Sequence, residues 1–374
     1  MSVDLTKMPK LGFGLMRLPT KDGEVDLDRV SAMADAYIKA GLNYFDTAYV
    51  YHGGKSEVCA REVIVKRYPR ESFFLADKLP AWSIKCSEDR DRIFSEQLER
   101  AGVEYFDFYL LHSLEDGYNY EVYEKYGCFE WAVQKRDEGK IRHFGFSFHG
   151  TPELLEKVLD KHPEVEFVQI QLNYLDWDNP TVQSGRLYEI LRSRNIPIIV
   201  MEPVKGGTLA DLTPENAALL RKAAPEASEA SWALRFAASL DGVMTVLSGM
   251  STEEQMQDNL GTFTDFKPLS EEEKAVVESV RAAMLSVESV GCTACRYCTD
   301  GCPMNIPIPD IFKAENSVRV YKDAWRAKNF YNKVTENAGK ASDCIGCGQC
   351  EGVCPQHLEI IELLKGAAER FEKD

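Results

Sequence analysis

Eight short apolar runs alternate with amphipathic helical patterns through the first 265 residues, and this alternation predicts an α/β fold with an all-parallel sheet. Eight is the number of strands that closes into a (β/α)₈ TIM barrel. An open doubly wound sheet is the alternative, but Gly12-Phe13-Gly14 lacks the third glycine and the helix start of a dinucleotide-binding fingerprint. We therefore predict a (β/α)₈ TIM barrel followed by a smaller, mostly helical domain.

The barrel elements are recognised by their residue types and spacing. Each strand is a short run rich in β-branched and aromatic residues, and each helix repeats its apolar residues with helical periodicity. The predicted strands are 11–18, 42–47, 73–78, 106–112, 143–148, 167–173, 197–202 and 243–248. The predicted helices are 26–40, 56–68, 88–101, 120–139, 152–161, 180–194 and 228–240.

A further helix is predicted after the barrel. Ser270 and Glu273 have the spacing of a capping box, which starts a helix that runs to about Glu288. Later helical patterns cover 311–318, 322–336 and 358–371. These patterns predict three parts, which are the barrel at 1–268, a connecting helix at 269–289 and a final domain at 290–374.

The final domain contains two cysteine runs with the same spacing, Cys-x-x-Cys-x-x-Cys-x-x-x-Cys, which are followed by Pro303 and Pro355. In two-cluster ferredoxins, three such cysteines hold one [4Fe–4S] cluster and the fourth is a ligand of the neighbouring cluster. The pattern predicts a ferredoxin-like iron–sulfur domain with two [4Fe–4S] clusters. The ligand sets are Cys292, Cys295, Cys298 and Cys354, and Cys344, Cys347, Cys350 and Cys302. Zinc and disulfides are the alternatives, but a third thiolate in one run is surplus to a tetrahedral zinc site.

Composition and charge limit the class of partner. The 374 residues are 44% hydrophobic and 28% charged, as in globular proteins, and the formal net charge is −16. This acidity disfavours nucleic acid and anionic membranes as partners. The N-terminus lacks the apolar segment of a signal peptide, and no apolar run is long enough for a membrane span. With the scattered Cys59, Cys86 and Cys128, these observations predict a cytoplasmic protein with reduced thiols.

Polar side chains stand at the carboxyl ends of successive predicted strands, where a barrel of this kind gathers its reactive groups. They are Asp46, Lys78, His112, Ser147, Gln169 with Asn173, and Glu202, and Tyr51 follows Asp46 in the next loop. A single buried histidine or lysine is usually structural. Ionisable side chains at three consecutive strand ends instead indicate a reaction site.

Several short motifs, in this order along the chain, resemble those of the aldo-keto reductases. The resemblance covers about residues 8–265. The motifs are Phe45-Asp-Thr-Ala48 with Tyr51, Ala76-Asp-Lys78, Leu110-Leu-His112, Gly145-Phe-Ser147 and Val168-Gln169. A bacterial subgroup of that family carries a C-terminal two-cluster ferredoxin domain, and this sequence is similar to that subgroup.

The resemblance implies an oxidoreductase that interconverts a carbonyl and an alcohol by hydride and proton transfer. Tyr51 would be the general acid, although an unperturbed phenol has a pKa of about 10. Lys78 would lower that pKa, and Asp46 would hold Lys78 in place. His112 would donate a hydrogen bond to the substrate oxygen.

The resemblance also implies a nicotinamide cofactor, NAD(P)H. Ser147 and Gln169 would hold the carboxamide of its ring, and Asn259 would meet the adenine. The family usually has an aromatic residue that stacks on the nicotinamide at the end of the seventh strand. Met201 or Glu202 stands at that position in this sequence.

The phosphates of the cofactor have an expected place in the loops after the seventh and eighth strands, because barrels commonly bind phosphate there. Gly206, Gly207 and Gly249 lie in those loops. The basic residues with which the family clasps the 2′-phosphate of NADPH are missing, and Glu253 and Glu254 stand nearby. Exposed acidic side chains would repel a 2′-phosphate by on the order of 1 kcal/mol. We therefore expect NADH to be favoured over NADPH.

Two other functions compete with a carbonyl oxidoreductase. The barrel of an electron-transfer subunit would serve as a docking platform for a redox partner, but the complete set of Asp46, Tyr51, Lys78 and His112 argues against this. The second competing function is a regulatory barrel that senses nicotinamide. This function would give no role to two iron–sulfur clusters. Clusters pass single electrons, and the sequence shows no flavin motif. Two alternatives therefore stay open: a redox partner, a ferredoxin or flavoprotein, connects the clusters to hydride chemistry, or the clusters reduce a substrate radical directly. The expected substrate is a small-molecule carbonyl or alcohol.

Overall fold

The computed structural model describes residues 5–115, 117–180, 182–287, 289–292, 294–354 and 356–373. The chain divides into two compact units, residues 1–279 and 280–374. This division falls inside the helix predicted as a connector, and the predicted domain limits stay a prediction. Glu288, at the predicted end of that helix, and Pro355, after the second cysteine run, lie outside the described residues.

The first unit is built on a closed barrel, which confirms the predicted fold class. In the part of the chain that the structure describes, eight parallel strands form the barrel. Each strand pairs with the next along the chain, and the first strand closes the barrel by pairing with the second and the last. The strands are β1 Leu11–Gly14, β2 Tyr44–Asp46, β3 Phe74–Pro80, β4 Phe106–Leu114, β5 Ile141–Phe148, β6 Phe167–Gln171, β7 Ile198–Met201 and β8 Val243–Ser248.

Helices connect the strands and bury their apolar faces. Several begin at a side chain that accepts an N–H bond from the first turn, as N-caps do; these caps are Asp26, Thr151, Thr213, Ser228 and Thr252. The helices are α1 Leu27–Lys39, α2 Lys55–Ala60 (continued by Arg61–Val65), α3 Glu88–Ala101, α4 Tyr118–Lys125, α5 Cys128–Asp137, α6 Pro152–Lys161, α7 Ser184–Ser193, α8 Pro214–Ala223, α9 Glu229–Ala238 and α10 Glu253–Phe263.

The structure corrects the predicted elements in several places. The single helix predicted for 120–139 is wrong, because Gly127 has a φ of 57° and such a left-handed residue ends α4 before α5 begins. The first strand, predicted for 11–18, ends at Gly14. Helices α8 and α10 and a hairpin of Thr20–Lys21 with Glu24–Val25 were not predicted. Two-residue strands are too short to show the alternating pattern from which strands are recognised.

Buried side chains fill the interior of the barrel. Reactive groups are therefore confined to the strand ends. A buried cluster occupies this interior, and its members are Met8, Tyr44, Ala76, Phe108, Leu110, Phe167, Ile199, Met244 and Leu247. A larger apolar layer lies between strands and helices. Packed interiors of this kind hold strand-end side chains in fixed positions.

The second unit is mostly helical, as predicted. Helix α11 Glu271–Leu285 leads into it and begins with the predicted capping box, in which Glu273 N–H donates to Ser270 Oγ at 3.2 Å and Ser270 N–H to a Glu273 carboxylate oxygen at 2.9 Å. The remaining helices are α12 Tyr297–Asp300, α13 Ile308–Arg319, α14 Ala324–Thr335, α15 Gln349–Gly352 and α16 Ile360–Phe371. They pack around the buried Ile311, Tyr331 and Leu364. Among the described helices, none has the length and apolar character that crossing a membrane requires.

Candidate active site and cluster-binding cysteines

The ends of β2 and β3 bring a lysine, a carboxylate and a phenol together. Lys78 is fully buried, and its Nζ donates to Asp46 Oδ1 at 2.6 Å and to the carbonyl oxygen of Thr47 at 2.7 Å. The same Nζ lies 5.0 Å from the centroid of the Tyr51 ring. The ammonium is therefore fixed between one anion and the face of the candidate proton donor.

The loop after β2 presents Tyr51 through an unusual turn. His52, Gly53 and Gly54 all have positive φ, at 50°, 63° and 86°. A Cβ at Gly54 would meet the end of the flexible Arg100 side chain, 2.7 Å from its Nη1, so the φ of 86° is the main reason for glycine there. This turn ends where α2 begins, which fixes the phenol relative to the strand ends.

His112, in β4, completes the set. Its ring lies edge-on to that of Tyr51, with centroids 6.0 Å apart, and 5.3 Å from the ring of Trp82. Burial lowers the pKa of His112 well below its ordinary value, and the nearby Lys78 adds to this shift. The imidazole is therefore neutral near pH 7, so that it has one N–H to donate.

Burial dominates the ionisation of the other three groups. Burial alone would lower the pKa of Lys78, but the negative charges of Asp46 and Tyr51 outweigh it and the pKa is raised. Burial raises the pKa of Asp46 and of Tyr51, and Lys78 offsets only part of each shift. The expectation of a phenol pKa below its ordinary value is therefore wrong, because desolvation of the phenolate exceeds the attraction of Lys78. The Tyr51 phenol is therefore protonated at neutral pH, and Lys78 is the neighbouring charge that favours its anion.

Two of the residues predicted to hold a nicotinamide carboxamide lie side by side on β5 and β6. Ser147 pairs with Gln169 in the strand register, and its Oγ accepts from the N–H of Ser113 at 2.7 Å. Gln169 donates from Nε2 to the sulfur of Met201 at 3.3 Å, while its buried Oε1 has no partner among the described residues. A buried acceptor without a donor is unfavourable, and the NH₂ of a nicotinamide carboxamide fits it.

The predicted phosphate loops meet at an arginine that the sequence prediction missed. Gly206 and Gly207 have positive φ, and a Cβ at Gly206 would lie 3.8 Å from Nη2 of Arg17. A Cβ at Gly249 would lie 3.3 Å from the Arg17 side chain. Arg17 is exposed, and the described part of the chain gives its guanidinium no hydrogen bond or ion pair. Arg17 lies shortly after the end of β1, and this position near a strand end was the sequence signal from which it could have been found.

Of the two acidic residues expected to repel the 2′-phosphate of NADPH, Glu253 is paired with a cation. Arg29 donates to both carboxylate oxygens of Glu253, from Nε at 3.0 Å and from Nη2 at 2.5 Å. Glu254 has no such cation paired with it in the described structure. The amide of Asn259 donates to Ser248 Oγ at 2.8 Å. The repulsion on which the NADH preference rests is therefore weaker than two free carboxylates would produce.

A second buried ion pair supports the loop that carries Gly206. Lys205 Nζ binds both carboxylate oxygens of Asp176, at 2.7 and 2.9 Å. Gln171, Asn173 and Asn179 donate amide hydrogens to the same carboxylate. Burial would raise the pKa of Asp176, but Lys205 and these donors outweigh it and the pKa is lowered. This network, also missed from the sequence, joins the loops after β6 and β7.

Two buried carboxyl groups lie on the reverse side of β3 from Lys78. Glu57 and Asp77 are fully buried, and each has one carboxylate oxygen without a hydrogen-bond donor among the described residues. The other oxygens are bound, Asp77 Oδ1 by the N–H of Lys78 and Glu57 Oε2 by Arg100. Burial raises the pKa of Glu57 to about 7 and that of Asp77 well above its ordinary value. One shared proton would satisfy both orphaned oxygens.

We expect this pair to make the stability of the protein fall as pH rises. A carboxyl whose pKa is raised by folding binds its proton more tightly when folded, so stability is lost between its ordinary pKa and the raised value of about 7. In Asp77→Asn the amide can donate to Glu57 without a shared proton, and the loss from pH 5 to 8 should shrink by on the order of 1–3 kcal/mol.

Urea unfolding of anaerobic protein at pH 5, 6, 7 and 8 measures this effect. Glu99→Gln is the matched control, because Glu99 is an exposed carboxylate on α3 and its variant should follow the native curve. Parallel stability curves for native protein and Asp77→Asn would show that the pair holds no shared proton.

The eight clustered cysteines line two separate cavities within the second unit. The first is lined by Cys292, Cys295, Cys298 and Cys354, and the second by Cys302, Cys344, Cys347 and Cys350. Each cavity thus takes three cysteines from one run and the fourth from the other, as the spacing predicts. The rest of the lining is largely apolar.

The arrangement of the thiols suits a cluster better than a single ion. Across the described ranges, no three Cys, His, Asp or Glu side chains converge closely enough to hold one metal ion. All eleven cysteines are free, so disulfides do not occupy these positions. Four thiols lining one cavity are the ligand set that a [4Fe–4S] cluster takes. Cys295 and Cys347, the second cysteine of each run, are exposed.

Comparison with known proteins gives the class of this chain. The Aldo/keto reductase family matches residues 10–282, and a 4Fe-4S dicluster domain matches residues 291–359. The chain therefore belongs to the aldo/keto reductase family, and its C-terminal part is a 4Fe–4S domain. Its family makes it an oxidoreductase.

Individual relatives are distant but cover most of the chain. L-galactose dehydrogenase of Arabidopsis thaliana is 25% identical over 294 residues, covering 73% of this chain and 89% of that protein. An aldo-keto reductase of Mycobacterium avium (strain 104) is 27% identical over 261 residues, covering 70% and 82%. Among solved structures, an aldo-keto reductase from Klebsiella pneumoniae in complex with NADP and acetate has a TM-score of 0.59 at 22% identity, covering 73% and 92%. At that identity the likeness supports the fold.

Proposed function

We propose that the chain interconverts a small-molecule carbonyl and its alcohol at Asp46, Tyr51, Lys78 and His112, and exchanges electrons through two [4Fe–4S] clusters. The observation that carries the enzymatic part is the buried Lys78 ammonium, which bonds to Asp46 at 2.6 Å and lies 5.0 Å from the Tyr51 ring. A buried ion pair next to a titratable phenol at the strand ends of a barrel marks a candidate reaction site. Beyond its partner Asp46, the nearest group on which the field of Lys78 can act is the phenol of Tyr51.

The chain's own residues then have distinct tasks in carbonyl reduction. The hydride for the carbonyl carbon would come from a reduced nicotinamide when one is bound. Tyr51 gives its proton to the carbonyl oxygen, and Lys78 stabilises the phenolate that remains. His112, neutral and 6.0 Å from the Tyr51 ring, donates a hydrogen bond that orients the oxygen before transfer. Asp46 keeps Lys78 charged and in place.

A nicotinamide dinucleotide is supported by three features of the strand ends. The buried Oε1 of Gln169 lacks a donor, Ser147 lies beside it, and Arg17 stands exposed between Gly206 and Gly249. Gln169 and Ser147 would bind the carboxamide, and Arg17 with the glycine loops would bind the phosphates. Met201 would lie against the ring, and Asn259 would face the adenine.

We expect NADH to bind more tightly than NADPH, because Glu254 keeps its charge near the 2′-position. Since Arg29 neutralises Glu253, the preference should be modest, and Arg29→Gln should widen it by weakening NADPH alone, roughly two- to fivefold. Equilibrium titration of both nucleotides against anaerobic native and variant protein measures it. NADPH binding tenfold tighter than NADH would contradict the electrostatic argument.

The iron–sulfur part of the proposal rests on the two cavities and their crossed cysteine sets. Because Cys295 and Cys347 are exposed, each site has an edge where a ferredoxin or flavoprotein could exchange single electrons. Such a partner would reconcile one-electron clusters with two-electron hydride chemistry.

The test of the proposed function is an anaerobic assay of the full chain with NADH or NADPH and a panel of aldehydes and ketones. We expect oxidation of the reduced nicotinamide only when a carbonyl substrate is present. A chain that contains iron and sulfide but neither binds a nicotinamide nor reduces any carbonyl would support the alternative, in which the barrel is a docking platform for a redox partner.

A further inference from the structure

The two cysteine runs are structural repeats. In each run, the residues before and after the second cysteine have positive φ: Ala294 at 55° and Arg296 at 65° in the first, Gly346 at 69° and Gly348 at 76° in the second. A one-turn helix follows in both, Tyr297–Asp300 and Gln349–Gly352. Position by position, Arg296 therefore corresponds to Gly348.

The repeats differ in what occupies that position. Left-handed backbone is natural for Gly348 but is disfavoured for a residue with a side chain, such as Arg296. Ala294 has the same kind of backbone conformation with only a methyl side chain, so a role for Arg296 follows from its surroundings and not from its backbone.

The guanidinium of Arg296 is held against the first cavity. It donates to both oxygens of Asp310 at 3.0 Å, and Asp310 lies in the first turn of α13. Arg296 lines the cavity together with Cys292 and Cys298, whereas Asp310 does not. An arginine side chain stays protonated in proteins, and that of Arg296 remains 57% exposed while paired with Asp310. A permanent positive charge thus stands at the wall of this cavity.

The second cavity lacks such a charge. Among its described lining residues there is no Lys, Arg, Asp or Glu, and the position equivalent to Arg296 is Gly348. Lys365, bound to Glu362, is not among the residues that line this cavity. Arg296 and Lys365 are both exposed and paired, so solvent screens both charges, and the two sites differ because a cation is present in the described lining of the first cavity but not of the second.

We propose that Arg296 makes the two iron–sulfur sites electrochemically unequal, giving the higher reduction potential to the site of Cys292, Cys295, Cys298 and Cys354. Each added electron makes a site more negative by one charge, and a neighbouring cation stabilises the reduced form. An electron that reaches this protein from a one-electron donor therefore settles at the Arg296 site. This inference rests on the proposed function, in which both cavities hold [4Fe–4S] clusters.

Redox titration of anaerobic full-length protein, followed by EPR of the reduced clusters, tests the inference with reciprocal variants. Arg296→Gly removes the charge and leaves the residue best suited to the backbone. The higher of the two midpoint potentials should fall, shifting the electron distribution roughly two- to fivefold, while the other stays unchanged. Gly348→Arg should raise the lower potential, and a Cβ at Gly348 meets nothing within 4 Å.

Asp310→Asn separates an electrostatic role from a structural one. If Arg296 acts through its charge, loss of the Asp310 carboxylate should raise the same potential. If the ion pair only supports the fold, Asp310→Asn should instead have the same effect as Arg296→Gly. Unchanged potentials in an Arg296→Gly protein that retains both clusters would overturn this inference alone. Native protein without two clusters would overturn the proposed function and, with it, this inference.

Discussion

Tyr51→Phe should lower the rate of carbonyl reduction by roughly 10²–10⁴. The substitution keeps the ring that packs beside His112 and Lys78 but removes the only proton that the phenol can give. Because the phenol is protonated and partly buried, the loss should fall on the transfer step and leave nucleotide affinity and stability nearly unchanged. Steady-state rates and nucleotide titration of the same preparations measure the two effects separately.

Lys78→Met should be comparably damaging for a related reason. Burial raises the pKa of Tyr51, and Lys78 is the charge that opposes this shift, so its removal makes the phenolate harder to form. It also leaves Asp46 buried without its cation, and stability should fall measurably. The double variant should be little slower than either single variant, because the two residues act as one unit.

A matched control keeps this test fair. Tyr49→Phe removes a phenol in the same loop that bonds to Glu96 on the outside of the barrel, so it should leave the rate close to native. Iron content must be normal in every variant. Full carbonyl-reducing activity in folded Tyr51→Phe protein would contradict the assignment of Tyr51 as proton donor.

Cys302→Ser should damage the site formed mainly by the other cysteine run. Cys302 lines the cavity of Cys344, Cys347 and Cys350, although it belongs to the first run in sequence. The variant should therefore lose or alter one cluster, with iron falling from about eight toward four per chain, while the other cluster keeps its native EPR signal.

Cys298→Ser is the informative comparison. It removes a cysteine only four positions earlier, but this one lines the other cavity. The two serine variants should therefore perturb different EPR signals, and Cys354→Ser should resemble Cys298→Ser. If Cys302→Ser and Cys298→Ser perturb the same signal, each run holds its own cluster and the crossed ligand sets are wrong.

The barrel and the positions of the candidate site could be predicted because their signals are local. Each strand is a short apolar run, and the carboxyl ends of parallel strands must meet at one rim. Asp46 and Lys78 could therefore be placed together from two motifs far apart in sequence. The cysteine spacing is equally local. Each cysteine run contains three ligands of one predicted site and the fourth ligand of the other.

Features that depend on tertiary contacts could not be predicted. Arg29 and Glu253 pair although they are 224 positions apart in the sequence. No sequence pattern near either residue indicates this pairing. The pKa of Tyr51 is decided by how completely the phenol is desolvated, which only the packed structure shows. Arg17 was overlooked because its significance lies in the glycine loops that fold against it.

Iron and acid-labile sulfide analysis of anaerobically purified native protein tests the central claim most directly. The claim is that this aldo/keto reductase barrel works with two [4Fe–4S] clusters, each held by three cysteines of one run and one of the other. The account predicts about eight iron and eight sulfide per chain. About two zinc per chain with no sulfide would contradict it.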